Sequence, residues 1–331
     1  MKSSLTNPPN HNPMEVSIVT SNHVPVQEKV IYPSTPFIEA NTVEMSLQEI
    51  QEKHIIPVFA KNNEPVISQV DFINLVGEHT EQFFGQTLLP AEIRVSHPIK
   101  GRIPSARHKP AAELLSHEKT LFYERCAFLY RIPGITRRIE DKELQLTVGG
   151  IKAHNQDNLN RYGGSPQAFK IFIGFQVKVC CNLCIFSDGR KEQLKVSSLD
   201  QLSNHLYHLL ESFDGDRQLK QLHALTGDGL TDSQFATLVG RCRMYLQEDN
   251  EAKKATEAML PSDSQVNFRV KGYYHDDHFR GIGNDISFWS LYNLMTAATK
   301  GSYIDTFLSR NTNAVEFVSH LQRDPGSWFL N

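Results

Sequence analysis

Long apolar runs are missing from this chain of 331 residues. Nothing approaches the ~18 consecutive apolar residues of a membrane-crossing helix, so no membrane span is expected. Cysteine is sparse and odd in number, five, which argues against a disulfide scaffold and for free thiols. Met1-Lys2-Ser3-Ser4 opens onto polar and proline residues without the apolar core of a secretory signal, so the expected location is cytoplasmic. The glycine fingerprints of dinucleotide-binding and P-loop proteins are absent, as are a GxSxG elbow and a kinase-type set. Carboxylates paired in a defined frame are also missing. No cofactor and no metal is therefore expected from motifs. Nor is there an excess of one charge: the formal net charge is −3.

What is present is an uneven distribution of that charge. Residues 94–138 carry 10 Lys/Arg against 3 Asp/Glu, and residues 150–195 carry 7 against 3. Residues 1–93 carry 4 against 11, and 196–331 carry 12 against 17. A basic middle thus lies between acidic flanks. Local charge of this size concentrates polyanions unless the flanks fold over and neutralise it. Residues 1–45 hold six prolines and no sustained period, and read as a flexible tail before a single body over 46–331.

The body divides into a β-rich part, 94–195, and a helical part, 196–331. Residues 120–132 have strand composition, and Pro133-Gly134 reads as the start of a turn. Residues 143–150 alternate as a second strand up to Gly149-Gly150, and an Asn/Gly-rich loop follows. Residues 168–180 alternate with a period of two: Phe169, Ile171, Ile173, Phe175, Val177 and Val179 on one face, Lys170, Phe172, Gly174, Gln176 and Lys178 on the other. The second face is expected to look toward solvent or a ligand; the competing reading buries it, with Phe172 beneath a helix. Ser68, Ser198, Thr231 (with Gln234) and Ser287 stand where helix caps should, and Pro110 begins a short helix. Segregated strands and helices predict an α+β fold: a small antiparallel sheet at about 120–180 packed by helices, then a helical C-terminal part.

Three clusters invite chemistry. Cys180, Cys181 and Cys184 include a CxxC, which can be a redox pair, half a metal site, or small apolar packing at a strand end. His154, Asn155, Asp157 and Arg161 lie in the glycine-flanked loop, and His275-Asp276-Asp277-His278 forms a compact polar group. Either could serve a metal-assisted enzyme acting on nucleotides or nucleic acid. The basic stretch is the stronger signal. Lys100, Arg102, Arg107 and Lys109 have no acid among them from residue 94 to 109, Arg137 and Arg138 sit in the expected hairpin connection, and Lys170 and Lys178 flank Phe172. Cations beside exposed aromatics, here Phe172 and Tyr162, suit a single strand of DNA or RNA, whose phosphates meet charge while bases stack.

Several separated motifs also agree in order: Ser96-His-Pro-Ile-Lys-Gly-Arg-Ile-Pro104, Glu118-Lys-Thr-Leu-Phe-Tyr-Glu-Arg125, Thr147-Val-Gly-Gly-Ile-Lys152, Phe169-Lys-Ile-Phe-Ile-Gly-Phe-Gln176, Val239-Gly-Arg-Cys-Arg-Met-Tyr245, Leu291-Tyr-Asn-Leu294, Ser302-Tyr-Ile-Asp305 and the closing Trp328-Phe-Leu-Asn331. Through them the chain resembles the Bacteroidetes family called domain of unknown function 3871, from about residue 90 onward. Val177-Lys-Val-Cys-Cys-Asn182 and Tyr292-Asn293 are more distantly similar to the phage/plasmid-like domain of unknown function 932. The resemblance implies a mobile-element setting and carries no catalytic residue. The element order over 120–213 is also similar to that of single-strand annealing proteins of the Rad-fifty-two type.

The expectation is therefore a mobile-element protein that binds single-stranded nucleic acid, in annealing or recombination, without a required chemical step. Self-association is left open. Its rivals are the metal-assisted enzyme and an anti-restriction or regulatory factor whose basic loop meets an acidic partner protein.

Overall fold

The computed structural model describes residues 35–54, 67–157, 166–254, 256, 258–275 and 285–331. The chain order is β1 (Thr42–Glu44), α1 (Leu47–Lys53), α2 (Gln69–Phe84), β2 (Glu92–Ser96), β3 (Pro98–Arg102), β4 (Lys119–Tyr123), β5 (Arg125–Ile139), β6 (Lys142–Ala153), β7 (Gln167–Val177), β8 (Leu183–Cys184) and β9 (Arg190–Val196). It continues through α3 (Leu199–Ser212), α4 (Gly215–Ala224), β10 (Gly229–Leu230), α5 (Asp232–Gln247), α6 (Asn250–Lys254), α7 (Asp263–His275), β11 (Ile286–Ser287), α8 (Phe288–Thr299) and α9 (Ile304–Arg323). The fold is α+β. The strands form an antiparallel sheet in the order β1-β2-β5-β6-β7-β8, with β9 beside β8 along the same edge of β7. A separate two-stranded ribbon pairs β3 with β4.

The helices begin where short polar side chains can satisfy the free N–H groups of the first turn. Ser68 accepts from Asp71 N and Asp71 reaches back, and Gly85 closes α2 with a left-handed φ of 63°. Thr231 and Gln234 make the same reciprocal box on α5, and Ser198 and Ser287 cap α3 and α8. Pro110 precedes only a single turn of 3-10 helix, Ala111–Glu113, rather than the short helix expected there.

Both faces of the sheet are covered. On one, Phe169, Ile171, Ile173, Phe175 and Val177 of β7 meet Phe128 of β5, Val148 of β6 and helices α2 and α3. On the other, Ala127, Leu129, Ile151 and Phe172 meet Ile304, Phe307 and Leu308 of α9, together with Phe37 and Ile38. From Phe172 to Gln176 the second face of β7 is therefore buried and not open to solvent or ligand, while Lys170 is half-buried and Lys178, beyond the end of the strand, is exposed. Phe172 is fully buried and offers no face for a base to stack on. Phe37, Ile38 and strand β1 also correct the boundary at 45. This part of the supposed tail is a strap that pairs Val43 with Val95 and packs under α9.

Gly149-Gly150 and Pro133-Gly134 both depart from the turn expected of them, because glycine marks bulges and close approach as well as turns. Gly149 and Gly150 lie inside β6 and do not end it. A Cβ on Gly149 would meet Phe172 at 2.5 Å, and one on Gly150 would meet Phe72 at 2.3 Å, so each clears room for an aromatic ring on its own face. Pro133-Gly134 does not stop β5 either; the strand absorbs them as a register shift between Arg131 and Thr136. The strand expected over 120–132 is instead broken at Glu124, where β4 leaves for the ribbon and β5 joins the main sheet. β7 ends at Val177; Val179 turns outward, 68% exposed, and Cys181 takes a φ of 56°. Burial pushes the Cys181 thiol up to about 11 and Cys184 to about 12. They behave as packed apolar groups and not as a thiolate pair.

Candidate functional site

The basic stretch that reads as a loop in sequence is half strand. β3 pairs Lys100 with Leu121 and Arg102 with Lys119. Directly opposed residues, and residues two apart, share a face of a ribbon, so Lys100, Arg102 and Lys119 lie together. Lys100 and Lys119 are exposed and Arg102 is half-buried. Arg107 is exposed in the connection that follows, its Nε donating to His108 Nε2 at 2.8 Å. Among the described residues, Lys100, Arg107 and Lys119 have no carboxylate within ion-pair distance.

The connection is held by two other cations. Arg102 donates to the Lys109 carbonyl, and Lys109 pairs with the buried carboxylate of Glu118. Glu118 also accepts from Leu115 N at 2.9 Å. The Lys109 ammonium, then the Leu115 N–H, hold the Glu118 carboxyl below its usual range. Lys109 therefore acts on the hairpin's own structure.

The remaining predicted contacts do not join this group. Arg137 and Arg138 lie in β5, opposite Leu144 and Glu143, at the far end of the strand from Arg125. Along the regular partner strand β6 the span runs from Ala153, opposite Arg125, to Leu144, opposite Arg137, which at ~3.3 Å per residue is about 30 Å. Lys178 sits at that far end too and pairs with Glu143 at 3.0 Å. Lys170 donates to the Asp305 carbonyl at 2.8 Å under the start of α9. Tyr162 and Arg161 lie outside the described residues. Arg137, Arg138 and Lys178 thus stand at the opposite end of the sheet from the ribbon, and the predicted contacts do not form one continuous surface.

At the foot of the ribbon is a half-open cleft of about 260 Å³ that sequence reasoning missed, lined by Asn41, His97, Ile99, Arg125, Tyr303 and Ile304 among others. Tyr303 is 62% exposed and Ile99 is 40% exposed. Arg125 is held on two sides, its Nη1 on Glu124 and its Nε on Asp305, each at 2.6 Å. The only sequence signal was the Ser302-Tyr-Ile-Asp305 motif, which says nothing of where Tyr303 lies.

His154 and Asp157 form a different kind of centre. Lys152 Nζ meets Asp157 Oδ2 at 2.5 Å, with side chains 1% and 2% exposed. Asp157 Oδ1 accepts from Ala168 N at 2.8 Å, and His154 Nδ1 lies 3.4 Å from Oδ2. Lys152 also stands 4.2 Å over the Phe169 ring. Burial pulls Lys152 down to about 8 against the attraction of Asp157. Burial alone would raise Asp157, but His154, Lys152 and the Ala168 N–H outweigh it and hold the carboxyl below its usual value. His54 stacks on His154 at 5.8 Å and accepts the Tyr123 N–H at Nδ1. Burial, then His154, push His54 down to about 4. This cluster is closed to solute and clamps the end of β6 to the start of β7. Among the described residues, no group of three His, Cys, Asp or Glu is placed to hold a metal ion. His275 is exposed at the end of α7, while Asp276, Asp277 and His278 lie outside the described residues.

The fold and site thus describe an α+β protein with an exposed cationic ribbon, an adjoining small cleft and an internal ion-pair clamp. The chain belongs to the family described as "Domain of unknown function, B. Theta Gene description" (DUF3871), which matches residues 18–327. The match begins well ahead of residue 90, where the recognisable motifs start, and takes in the strap that carries Phe37 and Ile38. No curated protein and no solved structure matches the chain. No helix among the described residues is long and apolar enough to cross a membrane.

Proposed function

We propose that this chain is a non-catalytic nucleic-acid-binding protein whose contact element is the β3–β4 ribbon. The observation that supports the reading is the register that puts Lys100, Arg102 and Lys119 on one face, with Arg107 in the connection next to it. A two-stranded ribbon with unpaired cations on one face neutralises phosphates without needing to recognise bases. Arg137, Arg138, Lys170, Lys178 and Phe172 have no part in it. Such a protein would supply the strand-holding step of annealing or recombination on a mobile element.

The test is a salt series of oligonucleotide binding by fluorescence anisotropy. Each phosphate neutralised on a single strand contributes about 0.7 to the slope of log K against log salt. The Lys100→Ala/Arg107→Ala/Lys119→Ala variant should lower that slope by about 2, and its affinity should fall with it. Arg137→Ala/Arg138→Ala should change neither. Failure of the unmodified protein to bind single-stranded or duplex DNA or RNA at about 50 mM salt would sink the reading. Retention of an acidic protein after nuclease treatment, with no oligonucleotide binding, would replace it with the protein-partner alternative.

A further inference from the structure

We propose that the cleft at the foot of the ribbon takes one unstacked nucleobase, with Tyr303 as the platform, so that the ligand is a single strand. This rests on the nucleic-acid reading above and adds to it the form of the ligand.

Three observations converge on a flat, neutral guest. The first is Tyr303. It caps α9 by position, yet its side chain makes no capping hydrogen bond. The residue is 62% exposed at the cleft wall, and Ile99 offers a second exposed apolar surface in the same cleft. Aromatic faces left in water beside a cationic strand are what single-strand binders present to bases.

The second is size. A cleft of about 260 Å³ falls below the ~300–1,000 Å³ of pockets that hold whole drug-sized ligands. A single ring system fits such a space; a complete dinucleotide does not.

The third is charge. The cation that reaches the cleft, Arg125, is already matched by Glu124 and Asp305. The cleft therefore has little pull on a phosphate. Unpaired cations stand on the other face of β3: Ile99 and Lys100 are consecutive residues of one strand, so their side chains leave it in opposite directions. A strand crossing β3 would set its phosphates toward Lys100 and Lys119 and turn a base toward Ile99 and Tyr303. Asn41 gives the rim an amide that can pair with a base edge. A duplex keeps its bases stacked on one another and cannot make this contact.

The experiment uses the full chain and a short oligo-thymidine strand carrying one 2-aminopurine, whose fluorescence is quenched on stacking. We expect quenching on binding to the unmodified protein and to Tyr303→Phe. Tyr303→Leu should lose the quenching and bind about five- to tenfold more weakly, at an unchanged melting temperature. Single strand should be preferred over the matching duplex. If the strand binds with the expected salt slope but the probe stays bright, or if duplex binds as tightly as single strand, this inference is overturned while the ribbon reading stands. If no nucleic acid binds at all, both fall.

Discussion

Replacing Asp157 with asparagine should cost this fold about 3–5 kcal/mol, because it leaves the Lys152 ammonium buried without its counter-charge. The change is nearly isosteric. Asparagine can still accept the Ala168 N–H that Asp157 Oδ1 takes at 2.8 Å, while its NH2 in place of Oδ2 removes both the charge and the acceptor that Lys152 Nζ uses. Against a typical total of ~5–15 kcal/mol it should move the urea midpoint far while leaving the slope of the transition unchanged. The penalty should also depend on pH. Lys152 sits at about 8 in the intact pair. Without Asp157, which raises it, the ammonium gives up its proton at still lower pH. Below that point the lysine is charged in both proteins and the full penalty applies. Above about pH 8 it is neutral in both, and the electrostatic part vanishes. Urea unfolding followed by far-UV circular dichroism at about pH 6 and about pH 9 should therefore show the larger penalty at the lower pH. Lys152→Met together with Asp157→Asn should recover most of the loss, since an apolar chain of similar length replaces the stranded charge. A penalty under about 1 kcal/mol, or one that grows with pH, would refute the clamp.

Two further outcomes follow from burial. His54 is held down to about 4 in the folded chain but ionises near its ordinary 6.5 when unfolded. The unfolded state takes up the proton first, so stability should fall as pH drops from about 6.5 to 4, by on the order of 2 kcal/mol given its partial exposure. His54→Gln, which keeps an acceptor for the Tyr123 N–H, should flatten that acid limb in a pH series of melting temperatures. Phe172→Ala should cost about 3–5 kcal/mol through the cavity left under α9, and the folded fraction should bind oligonucleotide as tightly as the unmodified chain.

The helix starts were legible because capping is local. Ser68, Ser198, Thr231 and Ser287 each act within four residues of themselves. The alternation of β7 was legible for the same reason, but what covers its second face was not: α9 lies some 130 residues downstream, and no periodicity in β7 points to it. Gly149-Gly150 and Pro133-Gly134 misled because the same residues mark turns, bulges and close approaches. Lys100, Arg102 and Arg107 stood out by counting charge, Lys119 showed itself only through its register opposite Arg102, and counting does not measure separation. Arg125 and Arg138 belong to one strand and stand at its two ends. The ribbon itself was hidden by Pro98 and Gly101, which depress strand character although the edge they occupy tolerates them. Tyr303 was missed because an exposed aromatic has no signature until the chain is folded around it.

The strap and α9 meet across the length of the chain, and this has a bearing on synthesis. Phe37 and Ile38 pack against Ile304, Phe307 and Leu308. When β7 leaves the ribosome, the surface formed by Leu129, Ile151 and Phe172 lacks the cover that α9 will give it. At ~5–20 residues per second, the remaining ~130 residues up to Leu308 take roughly 7–26 s to emerge. For that interval a greasy sheet is on display, available to chaperones or to neighbouring nascent chains. Chains stopped before α9 would keep it so for good.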